Sequence, residues 1–187
     1  MPKHPQNHLD PRQPLVVDTT KLPRQPGATR ALRRVVPAPA DLGLELIGVP
    51  AGSDLELDLT LTSVSEGVYV SGRIRGSLTG ECGRCLNPID DSFDVPLAEL
   101  YAYEDSTTEE TTDSDEVGRM HGDLIDIEPA VRDAVVLTLP PNPVCRPDCP
   151  GLCPECGVHF DDLPADHRHE IIDQRWAALR NLSNNKE

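Results

Sequence analysis

Aromatic side chains are scarce, with six Trp, Tyr and Phe in 187 residues against nineteen prolines. That excludes a core built on large rings, so another source of order is expected, and a bound metal is the obvious candidate. No run of about 18 apolar residues occurs, which excludes a transmembrane helix. The opening "MPKHPQNHLDPRQP" has neither the apolar stretch nor the small-residue cleavage site of a secretory signal, so the cytoplasm is the expected compartment. Gly-rich phosphate loops and nucleophile elbows are missing too. His121, His167 and His169 lie near acids, and "DLID" and "DD" supply carboxylates, but none of these forms a two-metal or acid–base pattern. The expectation is a protein that is no enzyme, takes no small-molecule substrate and touches no membrane.

Charge is abundant and unevenly placed. The overall formal charge is −15, yet residues 1–40 carry Lys3, Arg12, Lys21, Arg24, Arg30, Arg33 and Arg34 against Asp10 and Asp18, a net of +5 that leaves −20 for the remainder. A basic, Pro-rich arm over 1–40 on an acidic body over 41–182, with a short tail at 183–187, is the expected domain organisation. Such asymmetry suits a partner of mixed charge, such as RNA together with basic protein; a solvated tail is the plainer alternative.

Leu55, Leu57, Leu59 and Leu61 alternate with polar residues in "DLELDLTLTSV", and Val68, Val70, Ile74 and Leu78 do so in "VYVSGRIRGSLTG". Joined by "SEG", the two runs predict an antiparallel hairpin. "SFDVPLAELYAY" predicts a further strand, which Pro96 confines to an edge or a bulge. The acidic loop over 104–119 contains "EDSTTEETTDSDE", seven acids without a base. It reads as a solvated connection or as a lure for basic protein tails. Pro129 followed by Val131, Val135 and Leu139 predicts a helix over 128–138, and Ile172, Trp176, Leu179 and Leu182 predict another near the C-terminus. The fold class is therefore α+β, an antiparallel sheet, open or barrel-like, with two or three helices, a zinc-knuckle cross-link and a flexible N-terminal arm.

Six cysteines at short spacings in a reducing compartment argue for metal ligation over disulfides. Cys82-Gly-Arg-Cys85 and Cys153-Pro-Glu-Cys156-Gly157 each form a Cys-x-x-Cys turn that can aim two sulfurs at one zinc ion, and together they make a four-sulfur structural site. Cys145 and Cys149 form a looser pair that could replace Cys153 and Cys156 or supply additional ligands. A second complete site would need shared thiolates or donors such as His159, His167 or His169. Neither Cys-x-x-Cys stands at the strand-to-helix start of a thioredoxin-like centre.

"LTGECGRCLNPI", then "IDIEPAVRDAVVLTLP", then "CRPDCPGLCPECG" and a terminal "DQRWAALRNL" resemble, in content and order, the YceD family of large ribosomal RNA subunit accumulation proteins. The resemblance covers about residues 40–182, and "GLCPECG" resembles the Gram-positive, especially actinobacterial, branch. It implies a bacterial cytoplasmic protein needed for large-subunit ribosomal RNA to accumulate, often encoded beside a small basic zinc-binding ribosomal protein, and it carries over most firmly to Cys82 and Cys85. In some relatives the "GLCPECG" cysteines are missing while a Cys or His near Cys145 or Cys149 remains, which weakens the preference for Cys153 and Cys156, although Cys82, Cys85, Cys153 and Cys156 stay the expected set. On this reading the arm residues Arg24, Arg30, Arg33 and Arg34, with Arg73, Arg75 and Arg84 near the knuckle, contact phosphates of precursor large-subunit rRNA, while the acidic loop faces a basic large-subunit ribosomal protein. A protein-only adaptor for that ribosomal protein, or a thiol switch built on Cys145 and Cys149, are the alternatives.

Overall fold

A computed structural model describes residues 9–106 and 117–169. The chain divides into two compact units, residues 1–145 and 146–187. In the first, the strands are β1 (Val16–Asp18), β2 (Thr29–Pro37), β3 (Ile47–Gly48), β4 (Asp54–Ser63), β5 (Gly67–Glu81), β6 (Pro88–Ala102), β7 (Gly118–Arg119) and β8 (Leu124–Asp126), followed by one helix, α1 (Glu128–Val136). Six strands form an open sheet in the order β2-β4-β5-β6-β7, with β3 on β5, while β1 and β8 form a separate antiparallel pair. The sheet does not close into a barrel.

The alternation in the sequence sets the faces of the sheet. Leu55, Leu57, Leu59 and Leu61 of β4 lie beside Val68, Val70 and Ile74 of β5 and Phe93, Val95 and Leu97 of β6, all buried. Against this surface pack Leu15 and Val17, Ile125 and Ile127, and Val131 and Val135 of α1, in one hydrophobic cluster. The core is thus aliphatic, with Phe93 and Tyr101 its only buried aromatics among the described residues. Burying β-branched and leucine side chains at about 25 cal/mol per Å² supplies the driving force that rings would otherwise give.

The predicted hairpin is β4–β5, with Leu57 opposite Ile74 and Leu61 opposite Val70. β4 covers β5 only as far as Arg75; beyond it β3 takes over, with Ile47 opposite Gly80 and Gly48 opposite Thr79. Close approach demands glycine there, because a Cβ on Gly80 would stand 2.3 Å from the Leu46 carbonyl oxygen. β6 pairs with β5 along its whole length, and among the described residues its other side is met by a strand only at Tyr101 and Ala102, which leaves Pro96 on an edge there, as expected.

Two expectations need correction. Among the described residues there is one α-helix, not two or three; the second predicted helix, near residues 171–182, lies outside the described residues. Helix α1 starts as predicted, with Pro129 in its first turn and the Asp126 carboxylate accepting from the Glu128 amide. The segment expected as a flexible arm supplies β1 and β2 instead. β2 pairs with β4 over nine residues, from Thr29 opposite Thr62 to Pro37 opposite Asp54. Its inner face reads Arg30, Leu32, Arg34, Val36, and Arg30 and Arg34 end on the Asp18 and Val16 carbonyl oxygens of β1. Their aliphatic stems cover apolar surface while the guanidinium groups tie down the small pair of strands. Of the acidic loop, residues 107–116 lie outside the described residues, and its anchors are visible: Ser106 donates to the Glu66 carboxylate, and Glu104 accepts from the Gly122 amide.

The described residues of the second unit, 146–169, taken alone, are built on turns. Leu152 and His159 form an isolated antiparallel bridge, Phe160–Asp162 makes a short 3-10 turn, and Arg146 pairs with Asp148 and Asp161.

Candidate metal centres and charged face

β5 runs directly into the first Cys-x-x-Cys. The Cys82 amide donates to the Asn87 carbonyl at 2.9 Å, and the Leu86 amide donates to the Cys82 carbonyl at 2.8 Å. This closes a tight turn whose following residue, Leu86, takes a left-handed φ of 61°. The second Cys-x-x-Cys repeats the construction. The Cys153 amide donates to the Val158 carbonyl at 2.8 Å, the Gly157 amide donates to the Cys153 carbonyl at 2.8 Å, and Gly157 has φ 69°. Glycine takes that backbone conformation without strain, whereas Leu86 has to bear it.

In both turns the amides two and three residues after the first cysteine point at its sulfur. Burial raises the Cys82 pKa, but backbone donors from Cys145, Arg84 and Cys85 outweigh it and bring the thiol down to about 6. For Cys153 the Cys156 amide is the main influence; with the Glu155 amide and His167 it overcomes burial and also gives about 6. Thiolate is the form that ligates metal, and such amide donors are the outer-shell partners that metal-bound sulfur needs.

Within the first unit the Gly83 amide donates to the Pro143 carbonyl at 2.8 Å, which carries the following residues to the knuckle. The Cys85 and Cys145 sulfurs stand 3.6 Å apart, far longer than the roughly 2.05 Å of a disulfide. The Cys82, Cys85 and Cys145 sulfurs thus gather in the first unit, all within 4.8 Å of one another. A tetrahedron with zinc–sulfur bonds of about 2.3 Å has edges of about 3.8 Å, so these three fit corners of such an ion's shell. Of the three, only Cys145 is exposed.

In the second unit, Cys153 and Cys156 gather with His167 and His169, again within 4.8 Å. His159, the other imidazole considered, is held in the bridge to Leu152. Both groups have a donor set that could hold a metal ion. His167 and His169, named from sequence as donors a second site would need, are the alternating pair of "DHRHE", eleven and thirteen residues after Cys156.

The arginines singled out in the sequence fall into three places. Arg33, Arg73 and Arg75 lie on the outer face of the sheet, where Arg33 is opposite Asp58 and Asp58 opposite Arg73. Arg33 pairs with Asp58 at 2.9 Å, and Arg73 and Arg75 both reach Asp94, whose pKa is lowered chiefly by the hydrogen bond from Arg73. Arg30 and Arg34 face inward, as described above, and burial lowers the Arg34 pKa. Arg24 pairs with Asp123 at 3.2 Å and lies over the Tyr103 ring, while Arg84 sits inside the first knuckle.

Among the described residues no helix is long and apolar enough to cross a membrane. No solved structure matches the chain. An uncharacterized protein of Mycobacterium tuberculosis is 54% identical over 166 residues, covering 89% of this chain and 80% of that protein. One from Mycobacterium leprae is 44% identical over 177 residues, covering 95% of this chain and 80% of its own length. The Bacillus subtilis protein YlbN is 26% identical over 110 residues, 58% of this chain and 62% of that protein. Residues 70–183 match the family described as large ribosomal RNA subunit accumulation protein YceD. This span begins in β5 and takes in both cysteine groups and α1, and by it the chain belongs to the YceD family.

Proposed function

We propose that the protein is a non-enzymatic assembly factor of the large ribosomal subunit, working in the bacterial cytoplasm by binding precursor ribosomal RNA. A structural zinc ion at Cys82, Cys85 and Cys145 holds the end of the β5–β6 hairpin to the segment that follows α1. The observation that carries the function is the family match, whose description ties its members to accumulation of large-subunit rRNA. The zinc reading is supported by the three clustered sulfurs of the first unit and by the amide donors around Cys82. The outer face gathers Arg33, Arg73 and Arg75 on neighbouring strands, and phosphate contacts there would give a steep salt dependence.

A second reading has a specific observation in its favour. Asp58, Asp94 and Asp123 already engage the exposed arginines, and residues 41–187 carry a net charge of −20. An acidic surface of this kind suits a basic ribosomal protein, and the chain would then act as an adaptor that shields it.

Sedimentation of tagged protein from a lysate, at low and moderate salt, with and without nuclease, separates the two. RNA binding predicts co-migration with large-subunit precursors that nuclease abolishes. A small, nuclease-resistant complex refutes it and selects the adaptor.

A further inference from the structure

We propose that Cys153, Cys156, His167 and His169 form a second zinc site, distinct in its donors from the sulfur group of Cys82, Cys85 and Cys145, and that residues 146–169 owe their order to it. Three observations carry this proposal.

The first is the donor set. Two sulfurs and two imidazole nitrogens lie within 4.8 Å of one another, and Cys156 Sγ stands 3.7 Å from His167 Nε2. Zinc bonds of about 2.3 Å to sulfur and about 2.05 Å to nitrogen, at the tetrahedral angle, put those atoms about 3.6 Å apart. The two imidazole rings meet edge to face with centroids 4.5 Å apart, so they converge without stacking. A pair of rings brought this close by an alternating "HRH", against two cysteine sulfurs, has a purpose in ligation that an exposed surface pair lacks.

The second is the repeated knuckle. Both Cys-x-x-Cys turns close with the same two backbone bonds, first cysteine to the fifth residue on and fourth residue on back to the first cysteine, at 2.8–2.9 Å. The turn at 153–157 even has glycine in the left-handed position that Leu86 occupies with strain at 82–86. A backbone arrangement that serves sulfur ligation in one turn serves it in the other.

The third is the missing core. From Pro150 to His169 only Gly151 and Cys153 are buried, while Val158 and Phe160 are exposed. Hydrophobic burial within these residues therefore cannot hold the bridge between Leu152 and His159 or the turn after it. Metal ligation can, because in small domains binding of a structural ion is the folding free energy itself.

The two sites differ in accessibility. Among Cys82, Cys85 and Cys145 only Cys145 is exposed, but in this group only Cys153 is buried, and Cys156 and His169 face solvent. A chelator reaches the second ion directly, so that ion leaves first.

The full chain, reduced and stripped of metal, is titrated with zinc, and bound metal is counted by native mass spectrometry. The expected count is two for the wild type and one for the variant carrying Cys153→Ser and Cys156→Ser. Chelation of the wild type should release one equivalent in a fast phase that this variant lacks. Because a serine variant can also disturb the turn, His167→Ala with His169→Ala is loaded with cobalt. It should lose the absorption of a mixed sulfur–nitrogen site and keep that of a site with sulfur donors alone. A wild type that saturates at one equivalent, a serine variant that still binds two, or an unchanged cobalt spectrum in the histidine variant overturns the proposal.

Discussion

Gly80→Ala tests whether β3 is what seats the first knuckle. Gly80 stands opposite Ile47 and two residues before Cys82, and its missing Cβ leaves room for the Leu46 carbonyl oxygen, which would otherwise stand 2.3 Å away, and for Ile47 Cα at 2.9 Å. Both neighbours are backbone, so neither can swing aside as a side chain would, and β3 has to lift off β5. That breaks the bond from the Glu81 amide to the Leu46 carbonyl and the short ladder at Ile47 and Gly48, two or three backbone bonds of about 1 kcal/mol each. Ile47, now buried, becomes partly exposed, against a full-burial value of about 1.5–3 kcal/mol. Alanine restricts the unfolded chain and returns about 0.4–1 kcal/mol. The net expected loss is about 2–4 kcal/mol, a large share of a domain stability of about 5–15 kcal/mol.

The comparison that isolates this clash is Gly52→Ala. Gly52 has φ 77°, and a Cβ there would meet nothing within 4 Å, so only backbone strain of about 1–2 kcal/mol opposes the same entropic gain. Urea unfolding followed by far-ultraviolet circular dichroism, with zinc present, measures both variants, and metal counting follows the knuckle. Gly80→Ala should unfold at clearly lower urea than Gly52→Ala and hold the metal of the first group more weakly. Equal midpoints for the two variants would show that β3 bears no weight, and the account of the knuckle's seating would fall with it.

The remaining predictions concern the thiols and the outer face. Cys145→Ser should weaken metal binding at the first group while Cys156→Ser leaves that group's metal in place, as read by metal counting; the reverse result would restore the pairing of Cys82 and Cys85 with Cys153 and Cys156. In the metal-free protein the Cys82 pKa of about 6 lies below the ordinary thiol value near 8.5, so its thiolate adds stability that is complete above about pH 8.5 and is lost as pH falls through about 6. Urea midpoints across that window should fall with pH, and Cys82→Ser should flatten the slope. Arg33→Glu should change stability by less than about 1 kcal/mol, because the Arg33–Asp58 pair is largely exposed. The same variant should lower RNA retention and flatten its salt dependence, and unchanged retention would remove the outer face from the RNA contact.

How much of this was readable before the structure depends on whether the signal was periodic. The hairpin of β4 and β5 and the start of α1 were legible because leucine and valine alternation and a first-turn proline act locally. β2 was not, because its inner face alternates Arg30, Leu32, Arg34 and Val36, and two arginines in inward positions break the apolar count. Basic residues there read as a solvated arm, yet they end on the β1 carbonyl oxygens. The same logic separates the cysteines. Each Cys-x-x-Cys was legible as a turn, since its closing bonds span five residues, but the choice of partner is a long-range fact. It is set in the first unit by one backbone bond, from Gly83 to Pro143, sixty residues apart in sequence. No spacing rule encodes that bond. Pairing the two best-formed turns was the natural inference from sequence, yet within its own unit each turn meets other donors: Cys145 joins Cys82 and Cys85, and His167 and His169 join Cys153 and Cys156. Four cysteines in fourteen positions therefore supply more than one donor group, and the spacing inside each pair does not tell which donors a turn will meet.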